Sequence, residues 1–256
     1  MSWSPEQYLK FEAPRFRPAL DLLGRITLAA PQVVYDLGCG TGSACGVMAA
    51  RWPQAQITGV DDSDAMLAQA AKDLPGLRFI RQGLAGWQPE QPADVIFSNA
   101  ALHWLPGHGE LFPRLMDCLA PGGVLAVQMP YNFAAPSHTL IVDAARNGPW
   151  WDRIRPLVKP APVETPAFYH DTLLPHAAAL DIWETEYLQV LTGRDPVKEW
   201  TKGTWLRQFL DVLDEPQKSA FEADYARRVA QAYPARGDGR TLFPFRRLFM
   251  VAQKPG

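Results

Sequence analysis

Cysteine is scarce and forms no pattern. The chain has three, Cys39, Cys45 and Cys118, an odd number without a CxxC pair. That excludes a disulfide framework and a cysteine-based zinc site, so no metal is expected and each thiol is read as a small apolar filler. Cys39 sits among glycines, but no base stands beside it to make a nucleophile. Long apolar runs are missing too. Nothing approaches the roughly 18 residues a membrane span requires, and Met1-Ser2-Trp3-Ser4-Pro5-Glu6 lacks the basic patch and apolar core of a secretion signal, which points to a cytoplasmic protein without a membrane partner. Nor is there an excess of one charge. A net charge of −2 over 256 residues, with Lys and Arg scattered among acids, gives no basic field to hold a phosphate backbone and argues against nucleic acid as partner. What the sequence has is apolar material, 47 % of the chain, enough for one sizeable core or a core with an inserted subdomain.

The first half alternates strand-like and helix-like patterns. Strands are predicted over 33–37, 56–60, 77–81, 94–98 and 124–129, with helices over 45–52, 62–72 and 108–119, Ser63 or Asp62 capping the second, and a turn at Pro121-Gly122-Gly123. This alternation predicts an α/β fold, a Rossmann-like doubly wound sheet of mostly parallel strands. Beyond Met129 the regularity fails. Residues 131–170 are rich in proline and aromatics and read as an irregular, partly helical insertion; 171–180 reads as a crossover helix, 182–191 as a strand, 195–233 as helical, and 242–252 as a strand carrying Arg246 and Arg247. The late strands would add an antiparallel C-terminal edge. The whole is read as one domain over 1–256. Residues 1–20, with little helical periodicity before Pro18, would form an N-terminal lid, 30–130 a cofactor-binding core, and 131–170 with 195–235 insertions forming a substrate cap.

The strongest local signal is Val33-Val34-Tyr35-Asp36-Leu37-Gly38-Cys39-Gly40-Thr41-Gly42, a buried strand that runs into alternate glycines and then a helix. Glycines allow the tight turn and a close approach of backbone to ligand. About twenty residues on, the second strand ends in Asp61, where a carboxylate can accept both hydroxyl protons of a ribose. A nicotinamide dinucleotide fits poorly. Ser43 stands where the dinucleotide fingerprint needs its third glycine, and Asp36 at the loop mouth would repel a pyrophosphate while attracting the ammonium and sulfonium groups of S-adenosylmethionine. Gln82-Gly83-Leu84-Ala85-Gly86-Trp87, after the third strand, lies at the carboxyl edge where adenine would sit, and Ser98-Asn99-Ala100-Ala101-Leu102-His103-Trp104 ends the fourth strand at the same edge. Either segment read alone is also a plain loop, and His103 alone is equally a core histidine.

Taken together, DLGCGTG, the acid in ITGVD, ADVIFSNAALHW and LAPGGVLAVQMP resemble class I S-adenosylmethionine-dependent methyltransferases over roughly residues 30–130. A narrower resemblance spans nearly the whole chain. WSPEQYLKF, RPALDLL, HWLPGH, GPW at 148–150 and WTKGTWLRQFLDVL at 200–213 are similar to the members of that superfamily that esterify trans-aconitate. The resemblance implies transfer of a methyl group to one carboxylate, giving a monomethyl ester and S-adenosylhomocysteine. It assigns Asp36, Gly38, Gly40 and Gly42 to the methionine end of the cofactor, Asp61 to the ribose, Gly83, Leu84 and Ala85 to adenine, and Asn99 to the methyl-transfer mouth. One departure is visible: relatives often carry an acid after the third strand, where this chain has Gly83-Leu84, which leaves adenine to backbone contacts.

A carboxylate acceptor is ionised at neutral pH, so no catalytic acid or base is expected. A polycarboxylate needs cations and hydrogen-bond donors, for which Lys10, Arg15, His103, Trp104, Tyr131, Trp150, Lys202 and Arg207 are the candidates. Trp150 and Trp205 also suit core packing. The expected partner is a small polycarboxylate and the expected state a monomer. Two other readings remain open at this stage: methylation at carbon or nitrogen of another metabolite, which would need a base the sequence does not reveal, and a non-catalytic cofactor-binding regulator.

Overall fold

The computed structural model describes residues 12–256, and the side chains from residue 16 onward. Seven strands form one sheet in the order β3-β2-β1-β4-β5-β7-β6, where β1 is Val33–Leu37, β2 Gln56–Asp61, β3 Arg78–Arg81, β4 Ala93–Asn99, β5 Leu119–Pro130, β6 Ala179–Leu191 and β7 Thr241–Gln253. The five predicted early strands are present within a few residues of their expected bounds. They pair in parallel, β1 with β2 and β4, β2 with β3, and β4 with β5, whereas β7 runs antiparallel to β5. Strands buried on both faces read as continuous apolar runs, and Val34, Leu37, Val60, Val95, Ile96 and Phe97 are all fully buried.

Helices follow the early strands as expected: α2 (Ser43–Arg51), α3 (Asp64–Asp73) and α4 (His108–Asp117). Of the two proposed caps it is Ser63 that serves, its hydroxyl accepting from Met66 N–H at 3.4 Å. Three boundaries differ from the sequence reading. Residues 12–20 are not irregular: a helix, α1 (Glu12–Gly24), passes through Pro18, and Ala19, Leu22 and Leu23 bury its later turns. The expected lid over residues 1–11 lies outside the described residues. The Pro-Gly-Gly turn lies inside β5, where the register against β4 slips between Ala93 and Val95, a bulge that Gly122 enters at φ 74°. The helix expected over 171–180 starts earlier, as α7 (Pro166–Leu173), because Thr165 caps it by accepting from Phe168 N–H at 3.2 Å and Pro166 takes its first turn.

The chain divides into two compact units. One holds residues 15–130, 162–185 and 247–256, with β1–β5 and helices α2–α4 and α7. The other is built mainly from 131–161 and 186–246. It contains α5 (Pro136–Arg146), α6 (Trp151–Ile154), α8 (Pro196–Lys202), α9 (Arg207–Leu210) and α10 (Glu215–Ala232), gathered on a core of Ile141, Trp150, Trp200, Phe209, Phe221 and Tyr225. No helix among the described residues is long and apolar enough to cross a membrane.

Trp87 anchors the segment after β3. It is 1 % exposed and meets Tyr35 of β1 edge to face, with centroids 5.1 Å apart. Trp87→Ala is expected to cost about 3–5 kcal/mol by removing a large buried ring, to be read from denaturant unfolding; a loss under about 1 kcal/mol would show that the ring is not part of the core.

Candidate active site

The site grows from the end of β1. Gly38, Gly40 and Gly42 all have positive φ, at 76°, 54° and 80°, so the turn uses backbone that other residues adopt only with strain. At Gly38 a Cβ would also lie 2.2 Å from that of Ala101, whereas at Gly40 it would meet nothing within 4 Å. The first glycine therefore lets two loops pack together, and the second leaves the backbone open to a ligand. Gly38 and Cys39 donate to Val60 O at 2.7 and 3.1 Å, which ties the loop to β2.

Asp61 ends β2, half-buried, and faces that loop. Its Oδ2 accepts from Gly40 N–H and its Oδ1 from Ser63 N–H, each at 2.9 Å. A carboxylate has about four acceptor positions, so it retains capacity for a diol while these amides fix its orientation.

Asp36 is 2 % exposed. Burial raises its pKa from 3.8 to about 7; the Cys45 thiol, donating to Oδ2 at 3.2 Å, acts in the opposite direction, and the charge on Asp61 adds to the rise. Cys45 is thus more than a filler: it donates to the acid, and its own thiol is pushed far up by its hydrogen bond with Cys39, by burial and by the neighbouring Asp36.

The two remaining loops are held from below. Arg114 of α4 donates to Trp87 O at 2.5 Å and Ala85 O at 2.8 Å, which fixes the turn containing Gly83, Leu84 and Ala85. After β4, Ala100 takes φ 56°, a left-handed conformation that costs a non-glycine residue energy, and its N–H donates to Gln128 O at 2.9 Å. Beside it Asn99 Oδ1 is buried and meets no hydrogen-bond partner. Leu102 O lies 3.1 Å from His108 Nε2, and His108 Nδ1 lies 2.5 Å from Tyr169 OH. Arg114, His108, Tyr169 and the strained Ala100 escaped the sequence reading: Arg114 and Tyr169 belong to no motif, and Ala100 and His108, though they lie inside ADVIFSNAALHW and HWLPGH, carry no role that their residue type would signal.

The acceptor candidates fall in both units. His103 is 5 % exposed with its ring 4.6 Å from that of half-buried Trp104. Arg15 lies in α1, and Lys10 lies outside the described residues. In the second unit Tyr131 is half-buried at the end of β5, Lys202 pairs with Glu222 at 2.5 Å, and Arg207 lies 3.9 Å from Asp211. Trp150 is a core residue. It is 6 % exposed, donates its indole N–H to Ala144 O at 3.0 Å and meets Phe221 edge to face, which leaves that N–H committed inside the protein. Among the described residues no cluster of His, Cys, Asp and Glu is arranged for a metal ion.

The residues fit a cationic nucleoside. A buried acid and an orphaned amide oxygen suit an ammonium, a second acid suits a ribose, and an open glycine backbone permits close approach. With the sheet order, this defines a class I S-adenosylmethionine-dependent methyltransferase. A family model described as a methyltransferase domain matches residues 34–123. The chain is similar to the trans-aconitate 2-methyltransferases of Azoarcus sp. (strain BH72), at 45 % identity over 98 % of each chain, and Rhodopseudomonas palustris (strain BisB18), at 46 % identity over 98 % of this chain and 99 % of the relative. It belongs to the trans-aconitate 2-methyltransferase family. Phosphoethanolamine N-methyltransferase 2 of Haemonchus contortus, solved with phosphomonomethylethanolamine and S-adenosylhomocysteine, shares the fold at TM-score 0.58 and 16 % identity, over 94 % of this chain and 53 % of that one.

Asp61→Ala is expected to weaken S-adenosylmethionine binding by roughly 10- to 100-fold, since a charged hydrogen-bond acceptor contributes about 1.5–3 kcal/mol. Calorimetric titration reads this directly, and an unchanged affinity would remove Asp61 from the site.

Proposed function

We propose that this chain transfers the methyl group of S-adenosylmethionine to a carboxylate oxygen of trans-aconitate, yielding the monomethyl ester and S-adenosylhomocysteine. The observation that carries the reading is similarity at 45 % identity to trans-aconitate 2-methyltransferases over 98 % of both chains. The polar groups around the β1 loop agree with it.

When bound, S-adenosylmethionine supplies an electrophilic methyl on a positively charged sulfur. Asp36 offsets that positive charge in a site shielded from water, where a charge acts at longer range than in bulk solvent. Asn99 offers Oδ1 to an N–H donor, and Asp61 receives the ribose hydroxyls. Gly83, Leu84 and Ala85 present the adenine-side backbone, fixed by Arg114. The acceptor oxygen is already an anion at neutral pH, so the protein positions and desolvates it without removing a proton. His103 and Trp104 follow Asn99 on one loop, and we assign them to the acceptor side.

The test is S-adenosylhomocysteine release by purified protein with trans-aconitate, cis-aconitate, citrate or no acceptor. A kcat/KM for trans-aconitate at least about tenfold above the others is expected, a margin of roughly 1.4 kcal/mol in transition-state binding. Equal turnover of all three acids, or none, would contradict the reading.

A further inference from the structure

Asp36, Asn99, Gln128 and Arg247 share one face of the sheet on four adjacent strands. Asp36 pairs with Phe97, two residues before Asn99; Asn99 pairs with Gln128; and Pro130, two residues beyond Gln128, pairs with Arg247. Paired residues project to the same side and alternate residues return to it, so the four side chains form a row. An acid stands at one end of this diagonal row and a guanidinium at the other, three strand spacings across and four residues along, on the order of 19 Å away.

Arg247 is 4 % exposed and donates through Nη1 to Gln128 Oε1 at 3.1 Å. This bond fixes which way the amide faces, and Gln128 Nε2, in a side chain with no exposure, meets no hydrogen-bond partner. Asn99 Oδ1, one strand nearer to Asp36, is likewise buried without a partner. The acceptor-type orphan thus lies toward the acid and the donor-type orphan toward the guanidinium. Arginine does not shed its charge, and its planar fork matches the two oxygens of a carboxylate.

We propose that Arg247, positioned by Gln128, binds a carboxylate of the acceptor other than the one that is methylated, and so selects polyanionic acceptors. The row then runs from a group that attracts the cationic donor to one that attracts the anionic acceptor. The inference rests on the reading of the acceptor as a polycarboxylate.

The experiment compares wild type with Arg247→Lys, Arg247→Met and Gln128→Glu. For each, KM and kcat are measured with trans-aconitate and with an analogue in which one carboxylate is a primary amide, and S-adenosylhomocysteine affinity is taken by calorimetry as a check on the cofactor site. Arg247→Met is expected to raise KM for trans-aconitate on the order of 30-fold, as for loss of a charge-assisted pair, with kcat and product affinity within about twofold. Arg247→Lys should fall between, because it keeps the charge without the fork. Gln128→Glu is the separating variant. It keeps a hydrogen bond to Arg247 but neutralises it, so KM should rise even as thermal stability holds, whereas a purely structural pair would tolerate the change. The amide analogue should lose affinity for wild type yet lose little more on Arg247→Met. The proposal is overturned if KM stays within twofold in Gln128→Glu and Arg247→Lys, or if the variants weaken S-adenosylhomocysteine instead, which would place the cofactor's own carboxylate on Arg247. Wild type that turns over no polycarboxylate would sink the underlying reading, and this inference with it.

Discussion

Asp36 holds a carboxylate out of water at the end of an interior strand, with one thiol as hydrogen-bond donor and a second carboxylate, Asp61, close enough to oppose its charge. Burial dominates, and the pKa rises to about 7. The sign matters for stability. A carboxyl group whose folded pKa lies above its unfolded value favours the folded state at low pH, and that contribution is lost as pH rises through about 7. Near neutrality the unliganded fold therefore carries an acid on the verge of ionising, and a cation placed beside it restores what ionisation costs. We propose that selection of a positively charged nucleoside over a pyrophosphate rests on this one group.

The surrounding architecture keeps that group in place. The glycine turn bends away from β1 because Gly38 leaves room for Ala101, and the turn is tied back through Gly40 N–H to Asp61 and through Gly38 N–H to Val60. Strain is concentrated at Ala100, immediately after Asn99, where β4 must turn sharply at the mouth of the site. Half-buried Arg114, bonded to the turn containing Gly83, Leu84 and Ala85, and buried His108, bonded to Leu102, hold these conformations.

Much of this could be read from the chain because the chemistry is local. Val33 to Gly42 declares strand, turn and acid within ten residues, and Asp61 follows at the spacing that the second strand demands. The sheet was legible for a similar reason, since strands covered on both faces show as short apolar runs between glycine and proline. Long-range pairing left no such mark. Arg247 and Gln128 stand 119 residues apart, and in sequence each is an ordinary polar residue in an apolar strand. Ala100 gave no sign of its left-handed backbone, because glycine is the usual flag. Trp150 looked as available as any tryptophan until its N–H was found committed to Ala144. The helix at Pro166–Leu173 did have a signal, Thr165 followed by proline, a helix-start pattern that stands five residues before the expected helix.

The measurement that bears most directly on the role of Asp36 is the number of protons exchanged when S-adenosylmethionine binds, obtained by calorimetry at pH 7 in buffers of different ionisation enthalpy. A carboxyl group with pKa near 7 that ionises on meeting a cation releases about half a proton at that pH. Wild type should therefore release about half a proton more than Asp36→Asn, with the difference shrinking as pH is raised. Equal proton counts for the two proteins would contradict the account, because they would mean that the cofactor's charge is not received by Asp36.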